Sequence, residues 1–253
     1  MPSQTELLHD LGLGDEVVGI TNYCIYPNEW LTTKTRVGGT KKVLLEKIKN
    51  LHPDLIIGNK EENDQKQIEE LMTLYPVWMS DIYTLKDALE MITKIGTLVG
   101  KQTEATLLKL KIESEFNQLG NGFKGNNSSP KILPTKIAYF IWRKPFMVAG
   151  NNTFINDMLT RCGFNNIFAK NDFTRYPEIN AEQLAKANPK IIFLSSEPYP
   201  FKEKHIEEFQ LICPNSKIII VDGEMFSWYG SHLIKAPQYF EKLRTQLNTI
   251  TNN

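Results

Sequence analysis

Four histidines and three cysteines are the residues of this chain best suited to metal or nucleophile chemistry, and their spacing supports neither. His9, His52, His205 and His232 include no helix-spaced pair, so direct coordination of a metal by the protein is not expected. His232, near Phe226–Tyr229, is the one kept as a candidate ligand to a bound metal. Cys24, Cys162 and Cys213 are far apart and lack a CxxC, which reads as buried thiols rather than a disulfide framework or zinc site. There is no Walker loop, no GxGxxG after a strand, no nucleophile elbow and no HExxH. Ser231 beside His232 makes no triad, because sequence neighbours rarely face each other. An enzyme is therefore not expected, and no catalytic residue is assigned. The informative side chains are aromatic. Tyr23, Tyr26, Trp142, Phe146, Tyr176, Phe226, Trp228 and Tyr229 fall in segments flanking apolar runs, where rings can stack on a flat ligand and hydroxyl or indole groups can bind its polar fringe. Arg36 and Lys60 are candidates to neutralise an anionic ligand, with solvation as the alternative. Tyr75, Trp78 and Tyr139 lie in or beside strand patterns and read as core.

The elements that must position these residues alternate between strand and helix. Apolar runs at Val17–Thr21, Leu55–Gly58 and Val77–Ser80 predict strands, with helical periodicity at Leu44–Leu51 and Ile68–Leu74. Lys136–Trp142, Lys190–Leu194 and Lys217–Val221 predict strands of a second α/β unit, and strand–helix alternation implies parallel sheets. Ser3-Gln4-Thr5-Glu6 reads as a capping box opening a helix, and Gly12 or Gly14 as its stop. From Leu85 to Leu119 the apolar residues keep a helix period, predicting one rod on the order of 50 Å at about 1.5 Å per residue. It should end at Gly120-Asn121-Gly122, followed by a loop at Gly125–Pro130. The expected organisation is an α/β lobe over 1–84, a connecting backbone helix over 85–120 and a second α/β lobe over 121–253.

Composition agrees with a folded, soluble domain pair. Apolar residues make up 41% and charged residues 23%, and the formal net charge is zero, so nucleic acid and membrane surfaces lack an electrostatic footprint. The segment Met1–Asp10 shows no export signal.

A repeat marks the two lobes as related. Glu46–Ile57 aligns without a gap on Glu182–Phe193; in each, a helical glutamate lies seven residues before a proline that opens a buried strand. Two copies flanking a long helical segment favour pseudo-symmetric lobes.

Taken in order, Pro2-Ser3-Gln4-Thr5-Glu6-Leu7, Thr35-Arg36-Val37-Gly38-Gly39-Thr40, Leu45–Ile57, Pro145-Phe146 through Gly150, Gly163–Phe168 and Asp222–Gly230 resemble the class III periplasmic binding proteins, or helical-backbone metal receptors. The resemblance covers essentially the whole chain and is nearest to the cobalamin-binding subfamily. It implies two Rossmann-like lobes with central parallel sheets, joined by one backbone helix, with a ligand cleft between them. It further implies a monomer with no intrinsic cofactor, which hands a corrinoid, haem or iron–siderophore to an ABC permease dimer with its ATPase. Tyr23 and Tyr176 match ligand-contacting aromatics, and Glu46 and Glu182 match the glutamates that dock into permease arginines. By resemblance the compartment is periplasmic or membrane-anchored and extracytoplasmic. A cytoplasmic corrinoid or metal-chelate binder or sensor, uncoupled from transport, is the alternative. Family members carry a strand before the Pro-Ser-Gln-Thr-Glu segment, where this chain has Met1.

Overall fold

In the computed structural model, which describes residues 1–123, 134–169 and 174–251, the chain divides into two compact units. The first comprises Met1–Ile82, Lys86–Ile112 and Trp228–Leu233; the second comprises Tyr83–Leu85, Glu113–Ser227 and Ile234–Asn253.

The first unit opens with α1 (Pro2–Asp10), which begins earlier than its capping box suggests. Met1 is the N-cap residue, no side chain caps, and Pro2 fills the first turn, where its missing N–H is no loss. Ser3 and Glu6 are buried, and the Glu6 carboxylate meets the His232 ring at 3.0 Å instead of reaching back along the helix. The helix stops as expected at Gly12, with φ +78° and the Leu13 N–H returning 3.1 Å to the Leu8 carbonyl. β1 (Gly19–Ile20), α2 (Trp30–Thr33), β2 (Thr35–Arg36), α3 (Leu45–Leu51), β3 (Ile56–Asn59), α4 (Gln65–Met72) and β4 (Val77–Ser80) follow. β1 pairs in parallel with β2, and β3 with β4, as two separate sheets. Val37, Val43, Ile48, Ile68 and Leu71 form the core beneath them.

The single helix expected over 85–120 is two helices, α5 (Leu85–Leu98) and α6 (Gln102–Phe123). Gly100 takes φ +69°, and the Lys101 N–H closes on the Gly96 carbonyl at 2.7 Å, a left-handed helix stop. The apolar period conceals it, because Ile95, Val99 and the residues beyond Gly100 keep their spacing across the break. A Cβ at Gly96 would lie 2.3 Å from that of Ala105, so the two helices touch at this corner through glycine. α6 also continues past the expected stop at Gly120–Gly122, and the predicted loop at Gly125–Pro130 lies outside the described residues.

The second unit is built on one sheet. β5 (Thr135–Trp142), β6 (Phe146–Val148), α7 (Phe154–Arg161), β7 (Phe164–Asn166), β8 (Glu178–Ile179), α8 (Ala181–Ala187), β9 (Ile191–Ser195), α9 (Ile206–Ile212), β10 (Lys217–Val221), α10 (Glu224–Ser227) and α11 (Ala236–Thr251) run in that order. The sheet order is β10-β9-β5-β6-β8, with β7 also on β5. β5 is parallel to β7 and β9, and β9 to β10, whereas β6 runs antiparallel to both neighbours. Ile137–Phe140 are fully buried, as befits a central strand covered on both faces.

Candidate functional site

In the first unit the loop after β1 presents Tyr23. Its side chain is 63% exposed, unusual for a large aromatic, and it lies beside Gly39, where an added Cβ would sit 3.5 Å from the ring. The backbone on either side of Tyr23 is held. Arg36, at the end of β2, donates to the Asn22 carbonyl at 2.5 Å and the Cys24 carbonyl at 3.4 Å, straddling the tyrosine. The Cys24 thiol, buried, contacts the Thr5 and Thr21 hydroxyls at 3.1 and 3.2 Å. Arg36 therefore acts on the loop, a role its sequence context does not disclose. Lys60 lies 3.7 Å from Asp81.

Tyr26, at the far end of the same loop, packs edge-on to Trp228 at 5.7 Å and tilted to His232 at 6.2 Å. Trp228 and Tyr229 are buried, and burial pushes the Tyr229 phenol above its ordinary range, so it stays neutral. The His232 Nδ1 lies 3.0 and 3.1 Å from the two Glu6 oxygens, tying the segment Trp228–Leu233 to α1. This buried pair joins residues 226 positions apart, a separation across which no sequence pattern operates. Among the described residues no group of three or more histidine, cysteine, aspartate or glutamate side chains could hold a metal.

In the second unit Trp142 ends β5, 39% exposed, with its indole N–H on the Lys144 carbonyl at 3.1 Å and its ring edge-on to Tyr199 at 5.6 Å. Tyr176 is half-buried on a segment laid close over Gly150: the Gly150 N–H donates to the Arg175 carbonyl at 2.8 Å, and a Cβ there would meet the Thr174 oxygen at 2.5 Å. The Arg175 guanidinium lies 5.9 Å from the Tyr176 ring and 4.5 Å from Tyr83, a cation beside the candidate aromatic that sequence reasoning passed over. Phe146 packs on Phe140 and Phe209, at 5.6 and 5.1 Å. Phe226, expected at the ligand, is fully buried against Tyr139 and Phe240 at 5.2 and 4.8 Å. α10 folds it inward, so the ring has no face to offer.

Glu46 and Glu182 take the same place in their units. Each is the second residue of a seven-residue helix, α3 or α8, and each is exposed. Both helices end on a left-handed residue, His52 at φ 45° and Asn188 at φ 46°, followed by Pro53 or Pro189 and then β3 or β9. The repeat seen in the sequence is thus a repeat of backbone conformation. The copies differ in one respect: Lys49 bonds Glu46 at 2.9 Å, which pushes the lysine pKa up, whereas Ala185 stands at the corresponding place on α8.

The family model described as Periplasmic binding protein matches residues 1–211. The chain belongs to the periplasmic binding protein family. Its members bind and do not catalyse. This family member is 24% identical over 241 residues to the vitamin B12-binding protein of Pectobacterium carotovorum, covering 94% of this chain and 83% of that one. It is 26% identical over 248 residues to the vitamin B12-binding protein of Photorhabdus laumondii, covering 98% and 86%. The crystal structure of periplasmic vitamin B12 binding protein BtuF of Vibrio cholerae superposes with a TM-score of 0.80 at 21% identity, covering 96% and 95%. The periplasmic haem binding protein HutB of Vibrio cholerae gives 0.77 at 19% identity, covering 97% and 96%. These likenesses establish the mixed α/β fold of the family. Among the described residues no helix is long and apolar enough to cross a membrane.

Proposed function

We propose that this periplasmic binding protein is the substrate-binding component of an ABC importer, capturing a corrinoid or another flat metal chelate such as haem or an iron–siderophore. The observation that carries this is Tyr23: a large aromatic left 63% exposed on a loop that Arg36 and Cys24 hold in place. Arg36 and Cys24 fix the loop backbone while the ring stays exposed, an arrangement that suits presenting the ring to a ligand. Trp142 and Tyr176 offer further ring surface in the second unit, and Tyr26 in the first. Relatives named vitamin B12-binding protein across nearly the whole chain make a corrinoid the first ligand to test. Glu46 and Glu182 are the proposed docking carboxylates for an arginine-bearing permease dimer outside the cytoplasm.

Titration with cyanocobalamin, haem and a ferric siderophore, followed by tryptophan fluorescence and equilibrium dialysis, tests the reading. Saturable binding of one of them at micromolar concentration or tighter, weakened by Tyr23→Ala, is expected. Failure of all three to bind would overturn it.

A further inference from the structure

Trp142 is exposed, yet it is held at two points within the second unit. Its indole N–H donates to the Lys144 carbonyl at 3.1 Å, and its ring meets that of Tyr199 edge-on, with centroids 5.6 Å apart and planes at 68°. The backbone is tied at the same place, because the Tyr199 N–H donates to the Ile141 carbonyl at 3.3 Å. Tyr199, half-buried, thus couples the end of β5 to the segment after β9. Behind it lies an aromatic group. The Tyr199 ring packs on Phe201 at 4.8 Å and on His205 at 5.6 Å, and Phe201 packs in turn on Phe209 at 5.9 Å. Phenylalanine would serve that packing equally well, so the hydroxyl needs its own account. It lies 3.4 Å from the His205 Nε2 and meets the Arg143 guanidinium, which also bonds Glu208 at 2.7 Å.

His205 closes the single helical turn Glu203–His205 and is buried, with Nδ1 accepting the Lys202 N–H at 2.9 Å. An Nδ1 that accepts leaves the ring proton on Nε2, the nitrogen beside the Tyr199 oxygen. A second proton would go to Nδ1 and set a donor against the Lys202 donor. The charged groups that act on the imidazole are Arg143 from the β5–β6 turn, Lys202 and Lys204 from its own turn, all positive, and Glu208 from α9, negative. An imidazolium there loses one hydrogen bond and faces three cations for one carboxylate. We propose that Tyr199 is the positioning residue for Trp142, held through its hydroxyl by neutral His205 and by Arg143, and that protonation of His205 frees both rings and weakens the grip on a ligand. The effect on binding rests on the reading that Trp142 meets the ligand; the coupling of the rings does not.

The test uses the whole chain with isotope-labelled tryptophan, the Trp142 indole resonance being assigned by its loss in Trp142→Phe. Without ligand, between about pH 7.5 and pH 5, that resonance should follow the titration of His205. His205→Asn keeps an acceptor for the Lys202 N–H but cannot charge, and should hold the resonance still. Tyr199→Phe keeps the ring and loses only the hydroxyl, so most of the shift should vanish. A shift that survives Tyr199→Phe would be the bare field of the imidazolium and would overturn the proposal, as would a Trp142 resonance indifferent to pH in the parent chain. Should a variant fail to fold, the parent alone decides: the nuclear Overhauser contact between the Trp142 and Tyr199 rings should be lost in acid, and its persistence refutes the coupling. With cyanocobalamin, haem and a ferric siderophore as probes, whichever binds should bind parent and His205→Asn alike at about pH 7.5, and the parent roughly 5-fold more weakly at about pH 5, a loss of about 1 kcal/mol. Equal affinities at both pH values would overturn the acid release. If none of the three binds, the ligand reading fails, and the indole shift still decides whether Tyr199 positions Trp142.

Discussion

Replacing Arg36 with lysine separates holding the Tyr23 loop from neutralising a ligand. The guanidinium fork bonds the carbonyls on both sides of Tyr23, at 2.5 and 3.4 Å. Bonds from a charged donor are worth about 1.5–3 kcal/mol each, but the second is near the distance limit and the side chain is half-exposed, so about 1–2 kcal/mol is the reasonable total. If that energy orders the loop, its loss must be made up on binding, and Kd rises roughly 5- to 30-fold. Lysine keeps the charge but, as a point ammonium on a flexible stem, cannot bridge both carbonyls. Arg36→Lys and Arg36→Met should therefore weaken binding alike in a fluorescence titration with cyanocobalamin, or with whichever chelate binds. In a Tyr23→Ala background the same changes should cost less than about 2-fold, since the loop then carries no ring to place. Near-parental affinity of Arg36→Lys, with Arg36→Met impaired, would refute the loop role and restore the charge role; an undiminished effect beside Tyr23→Ala would refute it as well.

Glu46→Arg and Glu182→Arg should each abolish stimulation of the permease ATPase in reconstituted vesicles while leaving chelate affinity unchanged; lost affinity would speak against docking. Burial, reinforced by Arg143 and Lys204, holds the His205 imidazole below its ordinary 6.5, and the Lys202 N–H on Nδ1 at 2.9 Å favours the neutral ring. The unfolded chain then takes the proton first as pH falls, so His205 lowers stability below about pH 6.5, and His205→Asn should flatten that part of a Tm-against-pH curve. Gly100→Ala should lower stability by about 1 kcal/mol, or Tm by about 2–4 °C, through its positive φ; Gly96→Leu should cost more, because α5 and α6 meet there.

Legibility of the chain followed the range of the forces involved. Strands at Leu55–Gly58, Val77–Ser80 and Lys217–Val221 could be read because buried runs bounded by turn residues report themselves locally. The α5–α6 corner could not, since an apolar period is blind to one left-handed glycine that preserves spacing. β6 escaped notice because three residues are too few to show an alternation. Side-chain roles were harder still. The aromatic type of Phe226 was informative, but its direction was set by α10, and Ser3 and Glu6 matched a capping box until tertiary burial and His232 claimed Glu6. Tyr23 contrasts with Phe226 in that its ring stays 63% exposed on the loop after β1.

The repeated joint explains why Glu46 and Glu182 share a position without any direct constraint between them. Proline at the start of the strand segment ends the preceding helix, and the left-handed residue before it, His52 or Asn188, sets the turn into β3 or β9. With helix end and strand start fixed, a glutamate six residues before the left-handed residue must lie in the first turn of a seven-residue helix, on an exposed face and near the positive end of the helix dipole. The backbone device is thus two-fold repeated, but the electrostatics are not. An arginine approaching Glu46 has to displace Lys49, whereas one approaching Glu182 meets Ala185 at the same offset. A surface ion pair of this kind is worth about 0–1 kcal/mol, too little to block docking yet enough to make the two contacts unequal. On the proposed docking, a symmetric permease dimer would therefore engage α8 more readily than α3.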